Sequence, residues 1–121
     1  MMKVKYMSMT TLLLLPFLSS AYFYSGNDLR VPVQEYFKAE RSDHNTDYSK
    51  AYEYRGYALG VYDATSPFLC TPENVTAAQI LTVVANYFNN NPHKWHMPAK
   101  VIIQSSLFES FPCPAKSLKG S

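Results

Sequence analysis

Arg55-Gly56-Tyr57-Ala58-Leu59-Gly60-Val61-Tyr62-Asp63-Ala64-Thr65-Ser66-Pro67-Phe68-Leu69-Cys70-Thr71-Pro72 is helix-compatible as far as Ala64 and breaks at Ser66-Pro67. Gly56 and Gly60 stand four apart, so on a helix they share a face that carries no side chain, and Ala64 continues the row. The expectation is close helix packing: Gly56, Gly60 and Ala64 form a notch for a neighbouring helix of the same subunit, with a second subunit as the other candidate to fill it. Beyond the break comes Cys70, whose only possible intrachain disulfide partner is Cys113, forty-three positions on.

At 121 residues the chain has room for one domain. Lys3 and Lys5, the apolar run from Leu12 to Leu18 and the small residues Ser19-Ser20-Ala21 have the layout of an export signal. Residues 1–21 are therefore expected to be removed, leaving a domain over 22–121 with its core at about 27–113 and a polar tail from Pro114. A retained membrane anchor is the weaker reading, because the run is short for a bilayer and Pro16 interrupts it. With Lys3 and Lys5 set aside, 9 of the 11 basic residues face 9 acidic ones. That balance lacks the basic footprint of a nucleic-acid or anionic-membrane binder. Two cysteines in an exported chain favour a disulfide. The alternative, two reduced thiols serving catalysis or a metal, has neither a redox nor a zinc spacing behind it.

Four helices are expected and no sheet. Pro32 fits a first helical turn better than a helix interior, which places the first helix at about Val31 to Arg41 with Val33, Tyr36 and Phe37 inward and leaves Tyr22 to Gly26 as a loose lead-in. Asn27 and Asp28 are other candidate caps. The second helix runs from about Asp47 to Ala64, capped by Thr46 or Asp47, with apolar residues on more than one face, as suits a central helix. Thr76 and Gln79 form a capping box for the third, whose Ala77, Ile80, Leu81, Val84, Tyr87 and Phe88 give the clearest helical period in the chain. Asn89-Asn90-Asn91-Pro92 stops it. The fourth runs from Pro98 to about Ser110 with Ala99, Ile102, Ile103 and Leu107 buried; Val101-Ile102-Ile103 also suits a strand, but no second strand is available to pair with it.

No residue set announces a reaction. The tyrosines of the second helix, Tyr48, Tyr52, Tyr54 and Tyr57, are read as core packing with hydroxyls at the rim in preference to a sugar platform. Asp43 and Asp47 sit where acidic residues cap a helix start. His93 and His96 lack a third ligand at a suggestive spacing, and His96 is read as bonding within the turn or capping the fourth helix. Trp95 is either folded over the core or presented to a partner.

The series Gly56-Tyr57-Ala58-Leu59-Gly60-Val61-Tyr62-Asp63-Ala64, Phe68-Leu69-Cys70-Thr71-Pro72, Val75-Thr76-Ala77-Ala78-Gln79-Ile80, Val83-Val84 with Tyr87, Asn91-Pro92, His96, Pro98-Ala99 and Phe111-Pro112-Cys113 resembles the Rap/Tai family of immunity proteins. Gly26-Asn27-Asp28-Leu29 is similar to the family's start. Relatives often carry a further cysteine near the positions of Val31 to Val33, where this chain has none. The resemblance implies a small all-α, four-helix domain closed by a Cys70–Cys113 disulfide. It also implies a periplasmic location, frequent homodimers, and protection against a type VI secretion effector, a peptidoglycan amidase whose groove the immunity protein occludes without catalysing anything. No cofactor, no metal, no nucleic acid and, after signal removal, no membrane are implied. The family motif does not say which loop meets the effector. On physical grounds the expected partner-binding residues are Asn89, Asn90, Asn91, His93, Lys94 and Trp95, with Phe68 in a second-choice segment, since proline in each segment lowers the cost of ordering it. The alternative is a small periplasmic structural or chaperone-like protein without a toxin partner.

Overall fold

The computed structural model describes residues 23–115, and the expected export signal, residues 1–21, lies outside them. Among the described residues there are four α-helices, α1 (Gly26–Glu40), α2 (Tyr48–Thr65), α3 (Ala77–Asn90) and α4 (Ala99–Ser110), with 3-10 turns at Ser66–Phe68 and Pro92–Lys94. The all-α expectation holds, and the strand reading of Val101 to Ile103 does not: these residues are helical.

Three of the four helices start on a side-chain cap. Thr76 accepts from the Gln79 amide while the Gln79 side chain accepts from the Thr76 amide, the box read from the sequence. Asp47 accepts from the amides of Ser49 and Lys50. The Ser49 hydroxyl also donates to it at 2.7 Å and is the largest cause, ahead of the amides, that holds its carboxyl below the usual carboxylate range. Asp43 caps no helix: it accepts from the Asn45 amide at 2.9 Å within the connecting turn, and Asp47 alone holds the cap position.

The first helix differs from expectation. It begins at Gly26, five residues before Val31, and is capped by Ser25, not by Asn27 or Asp28; Asp28 is the reciprocal member of the box. Pro32 lies inside α1 and is buried. Proline has no N–H to offer the carbonyl four residues back, which belongs to Asp28, and the Tyr24 hydroxyl sits 3.4 Å from that oxygen. The helix ends in a Schellman arrangement: Asp43 N bonds Lys38 O at 3.0 Å, Ser42 N bonds Ala39 O at 3.0 Å, and Ser42 takes φ 58°, a left-handed position usually filled by glycine.

One core joins all four helices: Leu29, Val33 and Tyr36 from α1, Tyr54 and Ala58 from α2, Ile80, Leu81, Val84, Ala85 and Phe88 from α3, and Ala99, Ile102, Ile103 and Leu107 from α4. Helix α2 contacts each of the other three, the central role read from its pattern. Tyr54 is fully buried, so its hydroxyl needs a partner, and it donates to the Leu81 carbonyl at 2.6 Å. Tyr36 packs on Tyr54 with ring centroids 4.9 Å apart and shares a hydrogen bond with Thr82. Burial pushes both tyrosine hydroxyls above their ordinary titration range. Cys70 and Cys113 are bonded, S–S 2.05 Å, and the Cys70 amide donates to the Phe111 carbonyl, so the turn after α2 is fastened to the foot of α4.

Candidate functional site

The segment between α3 and α4 is the expected docking loop, and the structure anchors it in three places. Asn91 caps the end of α3 and its side-chain amide donates to the Tyr87 carbonyl at 2.8 Å. The Lys94 ammonium donates to the Tyr87 hydroxyl at 2.6 Å and lies 5.1 Å from that ring's centroid. Trp95 folds back over the core, which settles its two readings: the indole stacks on Phe88 at 5.2 Å, its Nε1 donates to the Phe88 carbonyl at 2.9 Å, and the Arg30 guanidinium lies 4.7 Å from its centroid. What the loop shows to solvent is Asn89, Asn90, Pro92, His93 and His96. His96 does not cap α4, where Pro98 holds the N-cap position. Among the described residues no three His, Cys, Asp or Glu side chains gather as a metal site.

From the other side the loop is held by a segment expected to be loose. Ser25 pairs with Pro98 in an antiparallel bridge. The Ala99 amide donates to Tyr24 O, the Gly26 amide to Met97 O and the Asn27 amide to Trp95 O, each at 2.8 Å. A helix leaves its first four amides without intrahelical partners. In α1 those of Gly26 and Asn27 bind the loop's carbonyls, while those of Ser25 and Asp28 are satisfied inside the capping box. The approach is close enough to require glycine: a Cβ on Gly26 would stand 2.6 Å from Ile102 Cδ1 and 2.7 Å from both Cα and O of Trp95. Tyr24 is fixed in turn, its ring 4.7 Å from that of Tyr57 and its hydroxyl donating to the Glu53 carboxylate, which also pairs with Lys50. Burial first and then Glu53 push the Tyr24 hydroxyl far above its ordinary value.

The remaining predicted positions lie elsewhere. Phe68 is 69% exposed on the 3-10 turn beside the disulfide. It belongs to the C-terminal end of α4 as the loop belongs to its N-terminal end, and the 12 residues between span roughly 18 Å. The two candidate segments are thus separated along α4. Gly56, Gly60 and Ala64 are exposed, and a Cβ at either glycine would meet nothing within 4 Å. No helix of the same chain packs on them, contrary to the expectation of close packing within the subunit. With Tyr57 and Val61 of α2 and Lys100 and Gln104 of α4 they border an open groove of about 400 Å³. Tyr48 and Tyr52, on the same side of α2, are 51% and 65% exposed with rings 6.3 Å apart, so the core reading holds for Tyr54 and fails for these two. A second shallow hollow of about 430 Å³, mostly apolar, lies between the outer face of α3 and Phe111.

The site residues missed from the sequence are Tyr24, Gly26 and Arg30. Their signal is Ser25-x-x-Asp28 followed by Leu29, Val33 and Tyr36 at helical spacing, which Pro32 masks because proline is ordinarily unfavourable inside a helix. A family model described as Rap1a immunity proteins matches residues 25–113. No curated protein and no solved structure matches the chain.

Proposed function

This chain belongs to the Rap1a immunity protein family, and from that premise we propose that it protects its own cell by binding a peptidoglycan amidase effector of type VI secretion in the periplasm and keeping substrate from the effector's groove. The family supports an immunity protein with a cognate secreted effector as partner. The amidase target, the periplasmic site of action and a homodimeric state complete the proposal. The action is occlusion, with no bond made or broken by the immunity protein.

The observation that carries the reading is the loop between α3 and α4. It offers the side chains of Asn89, Asn90 and His93 to solvent as hydrogen-bonding groups, while Asn91, Lys94 and Trp95 fasten it to the body. A segment already held in one shape loses little entropy on docking. Both sulfurs are joined in the bridge, so neither is a free nucleophile. The test is peptidoglycan hydrolysis by an amidase effector encoded in the neighbourhood of this chain's gene, with the mature protein added. Near-stoichiometric loss of hydrolysis is expected; undiminished hydrolysis together with no complex on co-purification would remove the proposal.

A further inference from the structure

We infer that the strap from Tyr24 to Asn27, with Arg30 beside it, is the positioning element of the docking loop and sets the loop's shape before a partner arrives; the inference rests on the reading of Asn89 to Trp95 as the segment that docks. The strap's contacts converge on one stretch. Gly26 and Asn27 spend the first amides of α1 on the carbonyls of Met97 and Trp95, and the positive end of the helix dipole favours those oxygens. Arg30, one turn along the same helix, lies over the Trp95 ring. Ala99 returns a bond to Tyr24.

Inside the loop, three amide bonds close the turn: Lys94 to Asn91 O at 3.0 Å, Trp95 to Pro92 O at 3.1 Å and Met97 to Lys94 O at 2.9 Å. Two of these turns end on residues that the strap holds. Loosening the strap therefore frees the hinge of the loop without touching Asn89, Asn90 or His93. Neither Gly26, which is buried, nor Trp95, turned inward, is placed to meet a partner directly, so their part in binding is exerted through the loop. The strap also follows closely on the expected export-signal cleavage point, so the first residues of the mature chain are the ones that shape a surface some seventy positions away.

The experiment pairs amide hydrogen exchange on the free protein with association kinetics against the neighbouring amidase. Arg30→Ala, an exposed position, is expected to speed exchange at Trp95 and Met97 about tenfold. It is expected to slow association by about three- to tenfold. Gly26→Ala should do both more strongly, and Gly60→Ala neither. Asn90→Glu and His93→Glu should leave exchange unchanged and weaken binding. If those two bind as the parent does, the loop is not the docking segment, a failure separate from that of the strap. Unchanged exchange at Lys94, Trp95 and Met97 in both Arg30→Ala and a folded Gly26→Ala overturns the positioning role. So does faster exchange with unaltered association in a protein whose Asn90→Glu variant binds poorly.

Discussion

Two closures hold this molecule together, and they are built from different material. The Cys70–Cys113 bridge fastens the turn after α2 to the foot of α4 with one covalent bond. The strap fastens the head of α4 to the start of α1 with three backbone hydrogen bonds and a glycine against a tryptophan backbone. A disulfide acts mainly on the unfolded chain, by removing its loop entropy, and asks little of its neighbours. The strap acts on the folded state alone and depends on sub-ångström fit. The covalent closure should therefore be worth more, and the backbone closure should be the more easily broken by one methyl group.

The largest effect is expected from opening the bridge. With the cysteines 43 positions apart, the chain-entropy model assigns about 4 kcal/mol to the closure, and native bridges in small domains typically return about 2–5 kcal/mol. Replacing Cys70→Ala and Cys113→Ala together should lower the urea midpoint accordingly while the Gly26, Asn27 and Ala99 amides stay the last to exchange at the head of α4. Loss of protection at those amides in the still-folded variant would show that the two closures are one cooperative unit.

Gly26→Ala comes next. The added Cβ meets backbone atoms of Trp95, which cannot rotate away, and overpacking of this kind costs about 1–3 kcal/mol. Denaturant unfolding measures it, and Trp95 fluorescence reports whether the indole leaves Phe88. A neutral Gly26→Ala would mean that the strap yields without cost and that its closeness is incidental.

These two closures were also unequally legible in the sequence. Cys70 and Cys113 are a pair by chemistry alone, and Thr76-x-x-Gln79 before an apolar row could be read directly, because capping is local. The apolar spacing gave α3, α4 and the core residues Ile80, Leu81, Val84, Phe88, Ile102, Ile103 and Leu107. The strap was not readable, because Gly26 is required by Trp95 and Ile102, far off in sequence, and nothing near Gly26 announces them. Gly56 and Gly60 failed for the converse reason: their spacing shows that they share a face but not which way the face points. Trp95 leaves both readings open in sequence because what decides it is the placement of Arg30 and Phe88 against the indole, a tertiary contact. Pro32 misled because its penalty in a helix is an average, and here its freed carbonyl lies beside the Tyr24 hydroxyl.

A smaller difference between the closures should appear at alkaline pH. Tyr24 and Tyr57 beside the strap have hydroxyls raised above the ordinary 10.0, in both cases chiefly by burial, and Tyr24 further by Glu53. A raised value in the folded state means that folding holds the proton more tightly than the open chain does. The stabilisation is complete below pH 10 and drains away as the pH rises above it. Thermal unfolding from pH 8 to 11 should show a flat region and then a decline, with the Gly26 and Ala99 amides losing protection before the Cys70 amide. Tyr24→Phe should reduce the decline, and a decline of the same size in that variant would place its origin at Tyr57, Tyr36 and Tyr54 instead.

The smallest effect has the opposite sign. Gly56 and Gly60 lie on an exposed helical face with open space where a Cβ would stand, so each is a helix-interior glycine with no contact to protect. Alanine there should stabilise the monomer by about 0.5–1 kcal/mol apiece, by lowering the backbone entropy lost on folding. Stability and association need not move together. If a second copy settles into the groove beside Lys100 and Gln104, the same methyl groups sit where its side chains would go, and the variants would melt higher as dilute monomers while self-associating less. Sedimentation of Gly56→Ala and Gly60→Ala across a concentration series separates the cases. Higher melting with unchanged mass at every concentration leaves the groove without a copy of this chain in it; higher melting with a mass that falls on dilution sooner than the parent's identifies the notch as the face where two copies meet.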